Sequence, residues 1–359
     1  MRATTIGAVL LVTLAAAPVA AQRLAQEEAD VEAGEELLPY RGTTVIYENA
    51  LAALTLDPSA DLYYNPTYVM SWTFRPRWYL YDTLSARLDF SVEAELTDSD
   101  WTRTRYEPIV SDLSLGFIYA DFYAIPVVDV KLGGGVWFGF PTSKASQART
   151  LYMSVAPTFS MRRKFDVLAG VEVTYSFRYA KNFNQYTTLQ AEEAAFPCPL
   201  NVGDRTECYN LGTRNPSMSF WNTLAVDAYF IERLYASATV RVTNALLYPL
   251  STAAVDTIAG PVDVPPASDN TDHRGSMLYG VEVGYDATDY LTVALGCVTA
   301  NPMLDEAGGI RTPFFNRYTN VYLDLALSVD GLVKTLTGPG DGAADETAAH
   351  DSGQTTSRW

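Results

Sequence analysis

Apolar and polar residues alternate one for one through most of the chain between Arg41 and Val333. In residues 84–96, Leu84, Ala86, Leu88, Phe90, Val92, Ala94 and Leu96 fall on one side, and Ser85, Arg87, Asp89, Ser91, Glu93 and Glu95 on the other. Residues 166–179 repeat the split, with Val171, Val173, Tyr175 and Phe177 opposing Glu172, Thr174, Ser176 and Arg178. So do residues 318–330, where Val321, Leu323, Leu325 and Leu327 oppose Asn320, Tyr322, Asp324 and Ser328. Side chains of a strand point alternately to opposite faces, so each segment has one apolar and one polar face. The rule predicts twelve strands, near 43–56, 65–78, 84–96, 111–121, 127–140, 150–162, 166–180, 217–230, 233–247, 276–286, 290–301 and 316–330. The first is the weakest, because Val45-Ile46-Tyr47-Glu48 does not alternate cleanly. These segments are about twice the usual globular strand of about five or six residues. They match a tilted membrane-crossing strand of about 9–11 residues with its extensions.

The predicted connections also alternate, short at 79–83, 122–126, 163–165, 231–232 and 287–289, and longer at 57–64, 97–110, 141–149, 181–216, 248–275 and 302–315. Short turns on one rim and long loops on the other describe an outer-membrane barrel with both termini in the periplasm. A two-layer sandwich could also leave a charged face in water, but it has no reason to segregate loop length. From the third strand on, the apolar face is almost free of charge, with Asn222 and Asn244 as its main polar exceptions. An Arg or Lys at mid-depth on a lipid face costs about 2–4 kcal/mol, which explains such a purge. Aromatic residues such as Trp72, Trp78, Phe140, Phe230 and Tyr285 lie toward strand ends, where interfacial girdles belong. The expected fold is therefore all-β, a closed antiparallel up-and-down transmembrane β-barrel of about twelve strands.

The ends of the chain set the compartment. Arg2, an apolar run from Ile6 to Ala17 and a small-residue stretch to Ala21 read as a signal peptide over residues 1–21. Residues 22–40 form an acidic periplasmic segment, residues 41–333 the barrel, and residues 334–359 a polar tail. The composition holds 42 Asp and Glu against 25 Lys and Arg, a formal charge of −17. That balance argues against nucleic acid as a partner, since phosphate contact needs a basic face.

In its strand number, alternation and loop asymmetry, the region 41–333 resembles the Gram-negative outer-membrane β-barrels, specifically the medium-sized channels of about twelve strands. The resemblance is one of architecture. It implies residence in outer-membrane lipid, insertion by the barrel-assembly machinery and passage of small solutes. One departure is that the last strand reads as ending near Val329-Asp330, whereas such barrels usually close on an aromatic residue; Trp359 lies outside any alternating pattern.

The candidate site is the inner face. Its pore-lining candidates are Arg75 and Arg77 on the second strand, Arg87, Asp89, Glu93 and Glu95 on the third, and Lys131 on the fifth. Glu172 and Arg178 follow on the seventh, Arg241 on the ninth, Glu282 on the tenth and Asp324 on the twelfth. Small inward residues, among them Gly133, Gly135, Gly139, Gly280, Gly284, Ala294 and Gly296, face these charges. About eight strands are just filled by side chains and sixteen or more leave an open channel, so residue size decides at twelve. One reading is a wet constriction whose acids and bases set a transverse field for a small polar or charged solute. The other is a lumen plugged by ion pairs, in a structural or surface-receptor barrel that works through its long loops. Monomer and trimer both remain open.

Cys198 and Cys208 lie ten residues apart in the longest loop and, in an exported protein, pair most simply as a disulfide, two free thiols being the alternative. Cys297 falls on the lipid face as a small apolar residue. The oxygens of Asp269-Asn270-Thr271-Asp272 do not fit an EF-hand loop and read as a solvated acidic loop rather than a Ca²⁺ site. The only histidines are His273, in a loop, and His350, in the tail, and no nucleophile motif accompanies them. Neither an enzyme nor a cofactor or metal is expected.

Overall fold

The structure is a computed structural model that describes residues 38–56, 67–97, 105–190, 210–249, 255–257, 260–262, 272–305, 308–312 and 314–337. The signal-peptide segment, most of the acidic segment, the tail beyond Thr337, both loop cysteines and His350 lie outside the described residues.

Twelve long strands run in chain order. They are β1 (Thr44–Ala52), β2 (in two pieces, Tyr68–Arg75 and Arg77–Tyr79), β3 (Leu84–Glu95), β4 (Leu113–Ile125), β5 (Val130–Phe140) and β6 (Leu151–Phe165). Then come β7 (Gly170–Asn184), β8 (Pro216–Ile231), β9 (Leu234–Leu247), β10 (His273–Thr288), β11 (Leu291–Pro302) and β12 (Thr319–Ser328). Each pairs antiparallel with its chain neighbours, and β1 pairs with both β2 and β12, which closes the sheet. Closure leaves no edge strand with unpaired backbone groups, the condition that hydrocarbon imposes. Short turns at 80–83, 126–129, 166–169, 232–233 and 289–290 share one rim, and the longer connections share the other.

The two faces carry the chemistry that the alternation predicts. Along β10, Val281 and Val283 are 57% and 53% exposed, while Glu282 between them is 3% exposed. On β11 Leu295 is 60% exposed and its neighbour Ala294 is 1% exposed. Leu224, Val240, Leu323 and Leu325 extend the exposed apolar belt to β8, β9 and β12. Polar groups on this outer face find partners within it: Tyr175 Oη donates to Asn222 Oδ1 at 2.8 Å, and Tyr68 Oη to Asn49 Oδ1 at 2.8 Å. At the short-turn rim Trp78, Leu80, Tyr81, Phe122, Tyr123, Leu168, Phe230 and Tyr285 are exposed, as an interfacial girdle requires.

Several details depart from the sequence expectation. Pro76 has no N–H for the ladder and divides β2. The fourth strand runs on to Ile125 past a register shift between Tyr119 and Tyr123, with Asp121 at φ 47°. Two short hairpins, Thr188–Gln190 with Asn210–Arg214 and Val255–Thr257 with Gly260–Val262, stand within the long connections. A helical turn, α1 (Lys144–Ala148), is capped by Ser143, whose side chain accepts from the Ser146 N–H. His273 is the first residue of β10 rather than part of a loop.

The chain does not continue as a strand to residue 330: it turns at Ser328 into α2 (Val329–Thr337). Asp330 anchors this helix, its Oδ1 accepting from Ser328 Oγ at 2.9 Å and from the Gly42 N–H at 3.3 Å. Gly331 lies so close to the β10–β11 turn that a Cβ there would sit 2.7 Å from the Asp289 carbonyl oxygen. Burial raises the Asp330 carboxyl above its ordinary range, against hydrogen bonds that lower it. A carboxyl raised on folding contributes stability at low pH that is lost as pH rises through the elevated value. Asp330→Asn keeps an acceptor for both bonds and removes the charge. The protection of the 329–337 amides, measured relative to their intrinsic exchange rates, is expected to lose the pH dependence due to residue 330 in this variant, while Asp330→Ala weakens that protection by about 1 kcal/mol at every pH.

Candidate functional site

The lumen has two unlike sides. On the side built from β9 to β12 and β1 it is filled. Glu48 of β1 and Asp324 of β12 are direct cross-strand partners on the inward face. Asp324 is 0% exposed. Glu282 joins the group through two phenols: Tyr235 Oη donates to its Oε1 at 2.8 Å and Tyr322 Oη to its Oε2 at 3.0 Å. Ile46, Tyr235, Ala294 and Ala326 pack into one apolar cluster here, and Leu278, Val298, Ala300 and Tyr322 into another.

The glycines of this side do not leave it open, as small inward residues suggested. A Cβ at Gly284 would lie 2.2 Å from Tyr235 Cζ, and one at Gly296 would lie 2.1 Å from Tyr322 Cζ. Each ring lies over the glycine directly opposite on the adjacent strand, so the missing side chain is the space that the ring occupies. Gly280 is different, with nothing closer than 3.9 Å to the same position.

The opposite side, from β2 to β8 together with Arg241 of β9, holds most of the long charged chains: the Asp89 and Lys131 side chains are 39% and 36% exposed, whereas Arg77, Glu95, Arg162 and Glu172 are buried. Arg75 Nε meets Asp89 Oδ2 at 3.4 Å, with the Asp89 side chain 39% exposed. Arg77 and Arg87 are cross-strand partners near the short-turn end. Arg77 donates to Tyr79 Oη at 3.2 Å, Arg87 to Ser85 Oγ at 3.3 Å, and the Arg41 guanidinium lies 3.6 Å over the Tyr79 ring. Glu93 faces inward beside Ser71, and Glu95 accepts from Thr97 Oγ1 at 2.6 Å. Arg162 bridges Asp121 and Glu172, the latter at 3.7 Å, and Lys131 lies 3.9 Å from Asp121.

Mid-barrel, the Arg178 guanidinium lies 5.4 Å from the Trp137 ring and 5.1 Å from the Trp221 ring. Arg241 on β9 donates to Thr223 Oγ1 at 3.1 Å; across β8, Trp221 is the cross-strand partner of Arg178 and Thr223, two residues on, is that of Arg241, so the two arginines share the inner face. At the long-loop mouth, burial lowers the Arg149 guanidinium below its ordinary range, opposed by Asp112 and reinforced by Arg274. Among the described residues no three His, Cys, Asp or Glu stand as a metal-holding group.

No family model matches the chain, and no curated protein sequence matches it. Among solved structures it is similar to an outer membrane channel from Pseudomonas putida F1, at 13% identity and a TM-score of 0.47 over 83% of this chain and 99% of that one. It is also similar to the KdgM porin, at 7% identity and a TM-score of 0.39 over 79% and 98% of the two chains. The NanC porin matches at 9% identity and a TM-score of 0.40 over 80% and 98%.

All twelve inward candidates named from the sequence lie on the inner face, but they do not form one ring. Glu282 and Asp324 belong to the filled side, and Arg75, Arg87, Asp89, Glu93, Arg178 and, from β9, Arg241 to the charged side. Two participants were missed. Glu48 sits in the irregularly patterned β1, and its signal is only the parity it shares with Thr44 and Ile46. Asp121 sits at the register shift of β4, where alternation carries no face information. Cys297 is free and half-buried on the outer face.

Proposed function

We propose that the chain is an outer-membrane channel for passive or facilitated diffusion of small polar or charged solutes through a charged lumen. The observation that carries the reading is the reversal of the usual globular order: an exposed apolar belt outside and acidic and basic side chains inside. Such a surface suits acyl chains and such an interior suits water and ions. The pore-lining set would be Arg75, Arg87, Asp89, Glu93, Arg178 and Arg241 along the charged side, with Arg77, Glu95, Lys131 and Glu172 toward its ends. Glu282 and Asp324 would stiffen the opposite wall. Short turns opposite long loops support an orientation with both termini in the periplasm, and assembly through the barrel-assembly machinery.

Reconstitution in planar bilayers tests this directly: discrete conductance steps are expected. Within that reading, Arg87→Glu shifts the reversal potential toward cation selectivity, and an unchanged potential would remove Arg87 from the ion path. The fully buried Tyr235, Ile46 and Asp324 favour a second reading, a structural or surface-receptor barrel with a closed lumen. It predicts no conductance, and partner binding lost on trimming the 185–215 connection.

A further inference from the structure

The structure assigns to the Arg178–Arg241 pair a binding site for small organic carboxylates, a deepening that rests on the channel reading for its physiological sense. Three observations converge on it. Arg178 makes no ion pair among the described residues, and its buried Nε has no hydrogen-bond partner. It is held in place all the same, between the indoles of Trp137 and Trp221. Trp137 is in turn fixed by lying against Gly116, where a Cβ would come within 2.7 Å of the ring. A second guanidinium, Arg241, stands on the same inner face across β8, its cross-strand partner Thr223 two residues from Trp221, the partner of Arg178, and is oriented by Thr223 Oγ1. Asp89 of β3, the carboxylate that acts on Arg178, forms its ion pair with Arg75.

Two guanidiniums desolvated together repel, and an anion between them removes that cost. The planar fork of N–H donors matches a carboxylate edge in bidentate fashion, which a point-charge lysine would not. The indole faces beside it give the apolar part of such a molecule a surface. The lumen thus offers an anionic solute a station at mid-depth, although the whole chain is strongly acidic.

The test uses the full chain folded in detergent and, in parallel, reconstituted in bilayers, with butyrate and its uncharged counterpart butyramide as probes. Trp137 and Trp221 report occupancy through intrinsic fluorescence whether or not the barrel conducts. Butyrate is expected to change the emission saturably and butyramide not to, with most of the signal lost in Trp137→Phe. Arg178→Gln should weaken butyrate binding by about tenfold or more, and Arg178→Lys by less, since charge survives but the fork does not. Thr223→Ala, which keeps both charges and only frees Arg241, should weaken it several-fold and covers the case in which Arg178→Gln fails to fold. Equal responses to butyrate and butyramide, or binding unchanged in both Arg178→Gln and Thr223→Ala, would overturn the site. A conducting barrel without the butyrate signal removes the site and leaves the channel. A barrel that binds butyrate but passes no current removes the channel and leaves the site.

Discussion

Gly284→Ala and Gly296→Ala are each expected to destabilise the barrel by about 3–5 kcal/mol, while Gly280→Ala changes stability by less than about 0.5 kcal/mol. All three are inward glycines on adjacent strands and look alike in the sequence. They differ in what lies opposite. A methyl group at 284 would overlap Tyr235 Cζ and Oη at 2.2 and 2.3 Å, and one at 296 would overlap Tyr322 at 2.1 and 2.3 Å. Tyr235 is 0% exposed, so its ring has nowhere to go without opening the apolar cluster around Ile46 and Ala326. Moving either ring also breaks its hydrogen bond to Glu282, in a setting where a charged acceptor is costly to deprive. Because both phenols bind the same carboxylate, the double variant should be less than additive. Urea titration of the lipid-inserted protein, read by the heat-modifiable mobility of the folded barrel, measures all four. Equal, small effects at the three glycines would mean that the rings do not occupy those places.

Leu295→Arg is expected to cost about 2–4 kcal/mol in a lipid bilayer, as is Val283→Arg. The expectation runs against the usual rule for exposed positions, where a charged replacement changes stability within about 0.5 kcal/mol. Leu295 and Val283 are among the most exposed apolar side chains of the strands, so little packing is lost in either variant. The cost arises only if hydrocarbon surrounds them. In the same equilibrium unfolding experiment a neutral result at both positions would place water, not acyl chains, against this face.

Much of the fold was legible because period-two alternation over long segments reports two things at once, the strand and the medium on each side of it. Loop-length asymmetry then fixed which ends share a rim. The candidate site was legible only as a list of inward positions. Alternation assigns a face but not a neighbour, so nothing local showed that Gly284 stands opposite Tyr235, or that Asp324 stands opposite Glu48. Those depend on register around the closed sheet. The division of the lumen into a filled and a charged side has the same origin. So does the pairing of Arg75 with Asp89, since two charges on one list can be partners or strangers. Where alternation itself failed, residues were missed: Glu48 in β1 and Asp121 at the register shift of β4. The helix α2 is hidden in the sequence because Val329, Leu332, Val333 and Leu336 straddle the end of the last alternating segment and the start of the polar tail.

The central claim is that the apolar face meets lipid, and nitroxide labels test it most directly. Cysteines placed one at a time at 224, 240, 283, 295 and 323 in a cysteine-free background put a spin label at five points of the belt on β8 to β12. In reconstituted bilayers each label should collide with dissolved oxygen and be shielded from a water-soluble nickel chelate. Labels as open to the chelate as one on the exposed Asp289 turn would contradict the account, for the belt would then lie in water.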